Sequence, residues 1–168
     1  MKRIPLSLFT FSFLLSGLCA APTKTVWQIG EKNHSASELA LSPDKYKEFL
    51  ANDFGWEDRF YIIGLSSPQK DFPYVLPGPA DHWGGTSYTA GIRTHVLNIL
   101  FGMKEVPETD SWKLIIDLLD THHEFPALFK ITINGKSWKY ALPKGSGKSI
   151  DGDYSQIKPH TIEIPLKR

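Results

Sequence analysis

The dipeptide Asn134-Gly135 stands between two runs of β-forming residues, and it limits the possible folds more than any other feature of the chain. Residues 127–133 alternate, with three apolar side chains on one face: Phe129, Ile131 and Ile133. An Asn-Gly pair adopts the two positive φ angles of a type I′ turn at little steric cost. The pattern therefore predicts that residues 136–142 return antiparallel beside 127–133, within an all-β protein.

Further strands follow from the same kind of pattern. Residues 112–119 are apolar on both faces apart from Lys113 and Asp117, which predicts a central strand covered by two layers. Other strands are predicted at 25–29, 59–63, 92–101 and 160–166. The last of these is expected to turn three apolar side chains inward: Ile162, Ile164 and Leu166.

One helix is predicted, over residues 43–50. Ser42 suits the N-cap, Pro43 is favoured in the first turn, and Asp44 complements the positive end of the helix dipole. Its apolar face, expected to pack on the sheet, consists of Tyr46, Phe49 and Leu50.

The first 20 residues have the composition of an export signal. A basic start at Lys2 and Arg3 precedes an apolar run over 4–15, with small residues around the expected cleavage point near Ala20. This run is shorter than the ~20 apolar residues that a membrane-spanning helix needs, so no membrane span is expected. The remaining residues, 21–168, are long enough for one hydrophobic core, and we predict one domain in a secreted protein, extracellular or periplasmic.

Cysteine and charge exclude several kinds of function. Cys19, the only cysteine, lies in the signal, so the domain offers no disulfide, thiolate metal site or cysteine nucleophile. Acylation of Cys19 in a lipoprotein is an alternative, which the large Leu18 before it disfavours. The exported domain lacks Lys2 and Arg3, so it has two basic residues fewer than the 19 of the whole chain, and it keeps all 18 acidic residues. A surface of balanced charge does not attract nucleic acid, and no nucleic-acid partner is expected.

A long loop over residues 65–91 is the first candidate for a binding surface. It is rich in proline and glycine and has almost no periodicity, and long loops in compact domains often carry function. Aromatic rings stack on sugars and neighbouring polar groups bond sugar hydroxyls, although aromatic residues also pack simply to hold such a loop in place. The predicted carbohydrate-binding residues are Tyr74, Asp81, His82, Trp83 and Tyr88.

A run of acidic residues and histidines follows the predicted central strand: Asp117, Asp120, His122, His123 and Glu124. The two aspartates point to opposite faces of a strand, and adjacent histidines do not easily face one ion, so a metal site would need further ligands. Calcium would suit these oxygen ligands better than zinc. We instead predict no metal or other cofactor, with residues 120–122 bonding loop backbone groups at the end of the strand.

The sequence GSGKS at 145–149 invites comparison with a phosphate-binding loop. That motif needs a glycine at the position of Leu142, and a strand followed by a helix in a parallel sheet. Residues 143–159 are therefore predicted to form a flexible loop.

Three stretches resemble one family: VWQIG at 26–30, DFPYVLPGPADHWGG at 71–85, and LIIDLLDTHHEFPALFKITINGK at 114–136. They are similar to the C-terminal carbohydrate-binding-like domain of rhamnogalacturonan lyases, polysaccharide lyase family 4. The resemblance implies an antiparallel β-sandwich of jelly-roll, galactose-binding-like type. The family's catalytic residues belong to a separate large domain that no stretch here matches, so no catalytic residue is implied.

The resemblance implies a secreted, non-catalytic module that binds plant cell-wall or related acidic polysaccharide, with a catalytic lyase domain or a neighbouring subunit as partner. The first alternative is a fragment or subunit of a polysaccharide lyase acting by β-elimination, and the second is a purely structural domain. Elimination needs a base and cations, for which the residues near the long loop are Arg59, Lys70, His82 and Arg93. Relatives continue beyond a strand like 160–166, so we expect the domain to lack its last strands and to have an unpaired edge.

Overall fold

A computed structural model describes residues 24–46, 48, 59–76, 96–105 and 111–167. The predicted export signal, residues 1–20, lies outside these ranges. Within them, no helix is both long and apolar enough to cross a membrane. The elements are β1 (Arg59–Ile62), α1 (Pro68–Asp71), β2 (Leu97–Leu100), β3 (Ser111–Leu118), β4 (Leu128–Ile133), β5 (Lys136–Ala141), a 3-10 turn (Ser149–Asp151) and β6 (His160–Lys167).

The described strands form three pairs, and the chain has the all-β sandwich class that the sequence predicts. β3 pairs with β6 and β4 pairs with β5, both antiparallel. β1 and β2 are parallel, which differs from the wholly antiparallel arrangement expected. A parallel pair requires a long crossover, and the residues between Ile62 and Leu97 supply one.

The hairpin at Asn134-Gly135 is confirmed. Asn134 has φ of 48° and Gly135 has φ of 81°, both positive as a type I′ turn requires. Ile133 lies opposite Lys136, so the two strands pair directly from the turn outward. On β4, Phe129, Ile131 and Ile133 are the less exposed side chains, as the alternation predicts.

Ile164, the most buried side chain among the described residues, lies on β6, opposite β3. Ile164 pairs with Leu114 and Ile162 pairs with Ile116, and both isoleucines of β6 are buried as predicted. The prediction that β3 is covered on both faces is wrong, because Ile115 is 49% exposed. That outer face is instead stabilised by polar pairs between the strands, such as Lys113 with Glu163 at 2.9 Å.

Two predicted elements near the start of the domain differ from the structure. Residues 25–29 are not a strand, although Trp27 packs on Phe101 with ring centroids 5.3 Å apart. The helix does not begin at Pro43, because residues 41–44 form a turn in which the Lys45 N–H donates to the Leu41 carbonyl. Turn formation competes with helix at a Ser-Pro-Asp sequence. Residues 45 and 46 are not helical either, Glu48 is helical, and the remaining predicted helix residues, 47, 49 and 50, lie outside the described residues.

The other two strand predictions hold in shortened form. The strand predicted at 59–63 ends at Ile62, and the one predicted at 92–101 is described as Leu97–Leu100, with 92–95 outside the described residues. Gly64, with φ of 87°, follows in the turn after β1.

Candidate functional site

The predicted carbohydrate-binding residues lie mostly outside the described residues. This is so for Asp81, His82, Trp83 and Tyr88. Tyr74 is described and half-buried, and its hydroxyl donates a hydrogen bond of 2.6 Å to the Ile150 carbonyl oxygen. Burial raises the pKa of the Tyr74 hydroxyl above its ordinary value, so it remains a neutral donor at physiological pH. Tyr74 thereby joins the predicted binding loop to the loop that follows β5.

The first part of the predicted binding loop is more regular than the sequence indicated. Pro68 opens helix α1, and the Ser67 N–H donates to the Asp71 carboxylate at 2.7 Å. Pro73 then forms a parallel bridge with Ala40, which is buried. These contacts fix the position at which the loop leaves the body of the domain.

The segment after β3 is bound to the loop after β5 by hydrogen bonds that we call the Asp120 clasp, formed by residues 120–123 and 143–147. The two oxygens of the Asp120 carboxylate accept from the backbone N–H of Ser146, at 2.8 Å, and from its hydroxyl. The Lys158 N–H donates to the same carboxylate at 3.4 Å. One side chain therefore holds both ends of the glycine-rich loop.

Backbone groups complete the clasp. The Gly147 N–H donates to the Thr121 carbonyl at 3.1 Å, and the Gly145 N–H donates to the His122 carbonyl at 3.4 Å. The Thr121 hydroxyl donates to the Pro143 carbonyl. The prediction that residues 120–122 bond loop backbone groups is confirmed. The expected flexible loop is held in place by these bonds, because its glycines allow the two backbones to approach closely.

Asp120 is expected to make the stability of the domain depend on pH. Burial raises the pKa of its carboxyl, but hydrogen bonds from Ser146, Thr121 and Lys158 outweigh burial and leave the pKa below the ordinary 3.8. A lowered folded-state pKa stabilises the fold above that value, and the contribution is lost as the pH falls through the folded pKa. Asp120→Asn should lower the unfolding free energy near neutral pH by roughly 1–3 kcal/mol and flatten its pH dependence at acid pH, below about pH 5. Urea titrations across that range measure both effects.

Asp117→Asn is the control for this prediction. The Asp117 carboxylate accepts from Lys32 and Thr161 on a partly exposed face, so we expect a smaller effect that salt weakens. Parallel pH curves for wild type and Asp120→Asn would contradict the role given to Asp120.

Beside the clasp lies a surface that we call the aromatic platform, formed by His122, His123 and Phe125. The two imidazole rings stack with centroids 4.6 Å apart and planes 22° apart, and the Phe125 ring lies 6.0 Å from His122. His122 Nδ1 accepts from the backbone N–H groups of Glu124, at 3.1 Å, and Phe125, at 3.0 Å. The histidines therefore have a structural arrangement that the sequence did not predict.

The acidic and histidine run does not converge on one point. The Asp117 and Asp120 carboxylates bond separate partners, and His122 Nδ1 accepts from backbone N–H groups. Within the described ranges, no group of three or more His, Cys, Asp or Glu side chains is placed to hold a metal ion.

A family model of a carbohydrate-binding-like domain, polysaccharide lyase family 4, domain III, matches residues 25–164. The chain belongs to this family. The match includes the whole of β1 to β5, the Asp120 clasp and the aromatic platform, and it ends within β6. No curated protein and no solved structure matches the chain.

The structure describes two of the four residues considered for elimination chemistry in this family 4 domain. Arg59 is the first residue of β1, and Lys70 is exposed in α1. His82 and Arg93 lie outside the described residues. The family match covers a carbohydrate-binding-like domain of a lyase family and assigns no role to these four residues.

Proposed function

We propose that the chain is an exported, non-catalytic module that binds plant cell-wall or related acidic polysaccharide. The observation that carries this proposal is the match of residues 25–164 to a carbohydrate-binding-like domain. The basic and apolar composition of residues 1–20 supports export, with cleavage near Ala20. Such a module acts beside a catalytic lyase domain, supplied by a neighbouring subunit or a longer chain.

The loop over residues 65–90 is proposed as the main binding surface. It contains Trp83 and Tyr88, whose ring faces suit the apolar face of a pyranose, and Asp81 and His82, which bond sugar hydroxyls. The ordered start of the loop, with α1 and the bridge at Pro73, supports this role because a fixed base reduces the entropy lost on binding.

Trp83→Ala is expected to weaken retention of the protein in affinity electrophoresis through a pectic polymer. Loss of one stacking ring corresponds to about a tenfold decrease in affinity. The circular dichroism spectrum should not change, because the substitution is expected to remove a contact with the ligand without unfolding the domain.

Phe60→Ala is the matched control, since Phe60 is 60% exposed on β1, outside the loop. It should leave retention unchanged. Equal retention of Trp83→Ala and wild type would show that the proposed loop does not bind the polymer.

The second candidate function is that of a lyase subunit that takes part in β-elimination, which the lyase membership of the family favours. The two functions give different products. A binding module alone releases no unsaturated oligosaccharides from pectic polymers, whereas a lyase produces them, and their ultraviolet absorbance measures the difference.

A further inference from the structure

We propose that the aromatic platform is a second sugar-binding site, which takes a pyranose unit of an acidic polysaccharide. This inference rests on the proposed binding function but assigns it to residues other than those of the 65–90 loop. Phe125 is 55% exposed, and His123 and Glu124 beside it are also exposed. An exposed aromatic surface bordered by a carboxylate matches both the apolar face and the hydroxyl edge of a sugar.

The platform is held rigidly before any ligand binds. The two hydrogen bonds to His122 Nδ1 fix the backbone from Glu124 to Phe125, and His123 stacks on His122. A Cβ built on Gly147 would lie 3.1 Å from His123 Nδ1, so the clasp backbone packs closely against the ring at that nitrogen. A surface ordered in advance loses little entropy on binding.

Charges around the platform indicate the class of sugar. Lys144 and Lys148 are both exposed, and they adjoin Gly145 and Gly147, whose N–H groups bond the 121–122 backbone. Lys148 also interacts with Asp153, so of these two lysines Lys144 is the more available to a ligand carboxylate. Two ammonium groups, those of Lys144 and Lys148, outnumber the one exposed carboxylate at the border of the platform, that of Glu124, so we expect the platform to favour uronate-containing glycans over neutral ones.

The platform is joined to the proposed main surface. Tyr74, from the 65–90 loop, bonds the carbonyl of Ile150, which is three residues beyond Gly147 in the clasp. Three residues span at most about 10 Å, so Tyr74, at the described start of this loop, and the platform border the same segment.

Phe125→Ala in the full chain tests the site by calorimetric titration with polygalacturonate. We expect affinity to fall about tenfold. Phe60→Ala, which removes a similarly exposed ring elsewhere, should bind like wild type. If wild type binds and Phe125→Ala binds equally well, this inference is overturned while the proposed function stands. If wild type binds no acidic polymer at all, both are overturned.

A second measurement does not depend on the fold of a variant. The imidazole resonances of His122 and His123, observed by NMR in the wild-type protein, should shift as galacturonate oligosaccharides are added. Shifts confined to other residues would overturn the inference. Lys144→Gln should reduce affinity for the acidic oligosaccharides several-fold and make it less dependent on salt; unchanged affinity and salt dependence would overturn the part given to Lys144.

Discussion

Replacing Ile164 with alanine is expected to lower the free energy of unfolding by about 2–5 kcal/mol. Ile164 is fully buried, with 0% exposure, and it lies opposite Leu114 where β6 pairs with β3. The substitution removes three buried carbon atoms and leaves a cavity that a paired strand cannot easily close. The loss is a large part of the 5–15 kcal/mol typical of a folded domain. Urea unfolding followed by tryptophan fluorescence gives the change in free energy.

Ile115→Ala is the matched control for this prediction. Ile115 is the same residue type on the partner strand, but it is 49% exposed on the outer face. The substitution should lower the free energy of unfolding by less than about 1 kcal/mol, because much of the Ile115 side chain is already exposed to water and little buried apolar surface is lost. Equal losses for the two variants would mean that the β3–β6 pair does not enclose the core at Ile164.

Gly145→Ala is expected to destabilise the protein by about 3 kcal/mol, because the Asp120 clasp leaves no room for a side chain. A Cβ built on Gly145 would overlap the Thr121 carbonyl oxygen and the Asp120 carboxylate. One of these is backbone, and the other is bound to Ser146, so neither moves aside without breaking the clasp. Thermal or urea unfolding measures the effect.

The control for Gly145→Ala is Gly102→Ala. No heavy atom lies within 4 Å of a Cβ built on Gly102, so that substitution should be close to neutral. If Gly145→Ala is as stable as Gly102→Ala, the two loops do not approach each other as described. If Gly145→Ala is unstable but Asp120→Asn is not, close backbone contact holds the clasp together more than the carboxylate does.

Local signals predicted the parts of the fold that local interactions decide. The Asn134-Gly135 hairpin depends on two backbone angles, and the inward side of β6 depends on simple alternation, so both could be derived from sequence. The Ser-Pro helix-start signal did not by itself identify where a helix begins, because it occurs twice in the chain. The structure uses it at Ser67-Pro68 to open α1, and it forms a turn at Ser42-Pro43.

The candidate site was harder to predict because its contacts are distant in sequence. Asp120 and Ser146 are 26 residues apart, and nothing in either local sequence identifies the other as its partner. The histidines resembled metal ligands, but a short loop turned the His122 ring toward its own backbone. The two glycines around Ser146 were the available signal, since such a pair marks a close approach of two backbones as well as flexibility.

Whether the chain binds polysaccharide without cleaving it can be measured by calorimetric titration of the folded chain with a pectic polymer, followed by an absorbance scan of the same sample for unsaturated products. We expect saturable binding to the acidic polymer and no unsaturated oligosaccharides. Absence of binding, or release of unsaturated products by the chain alone, would contradict this expectation.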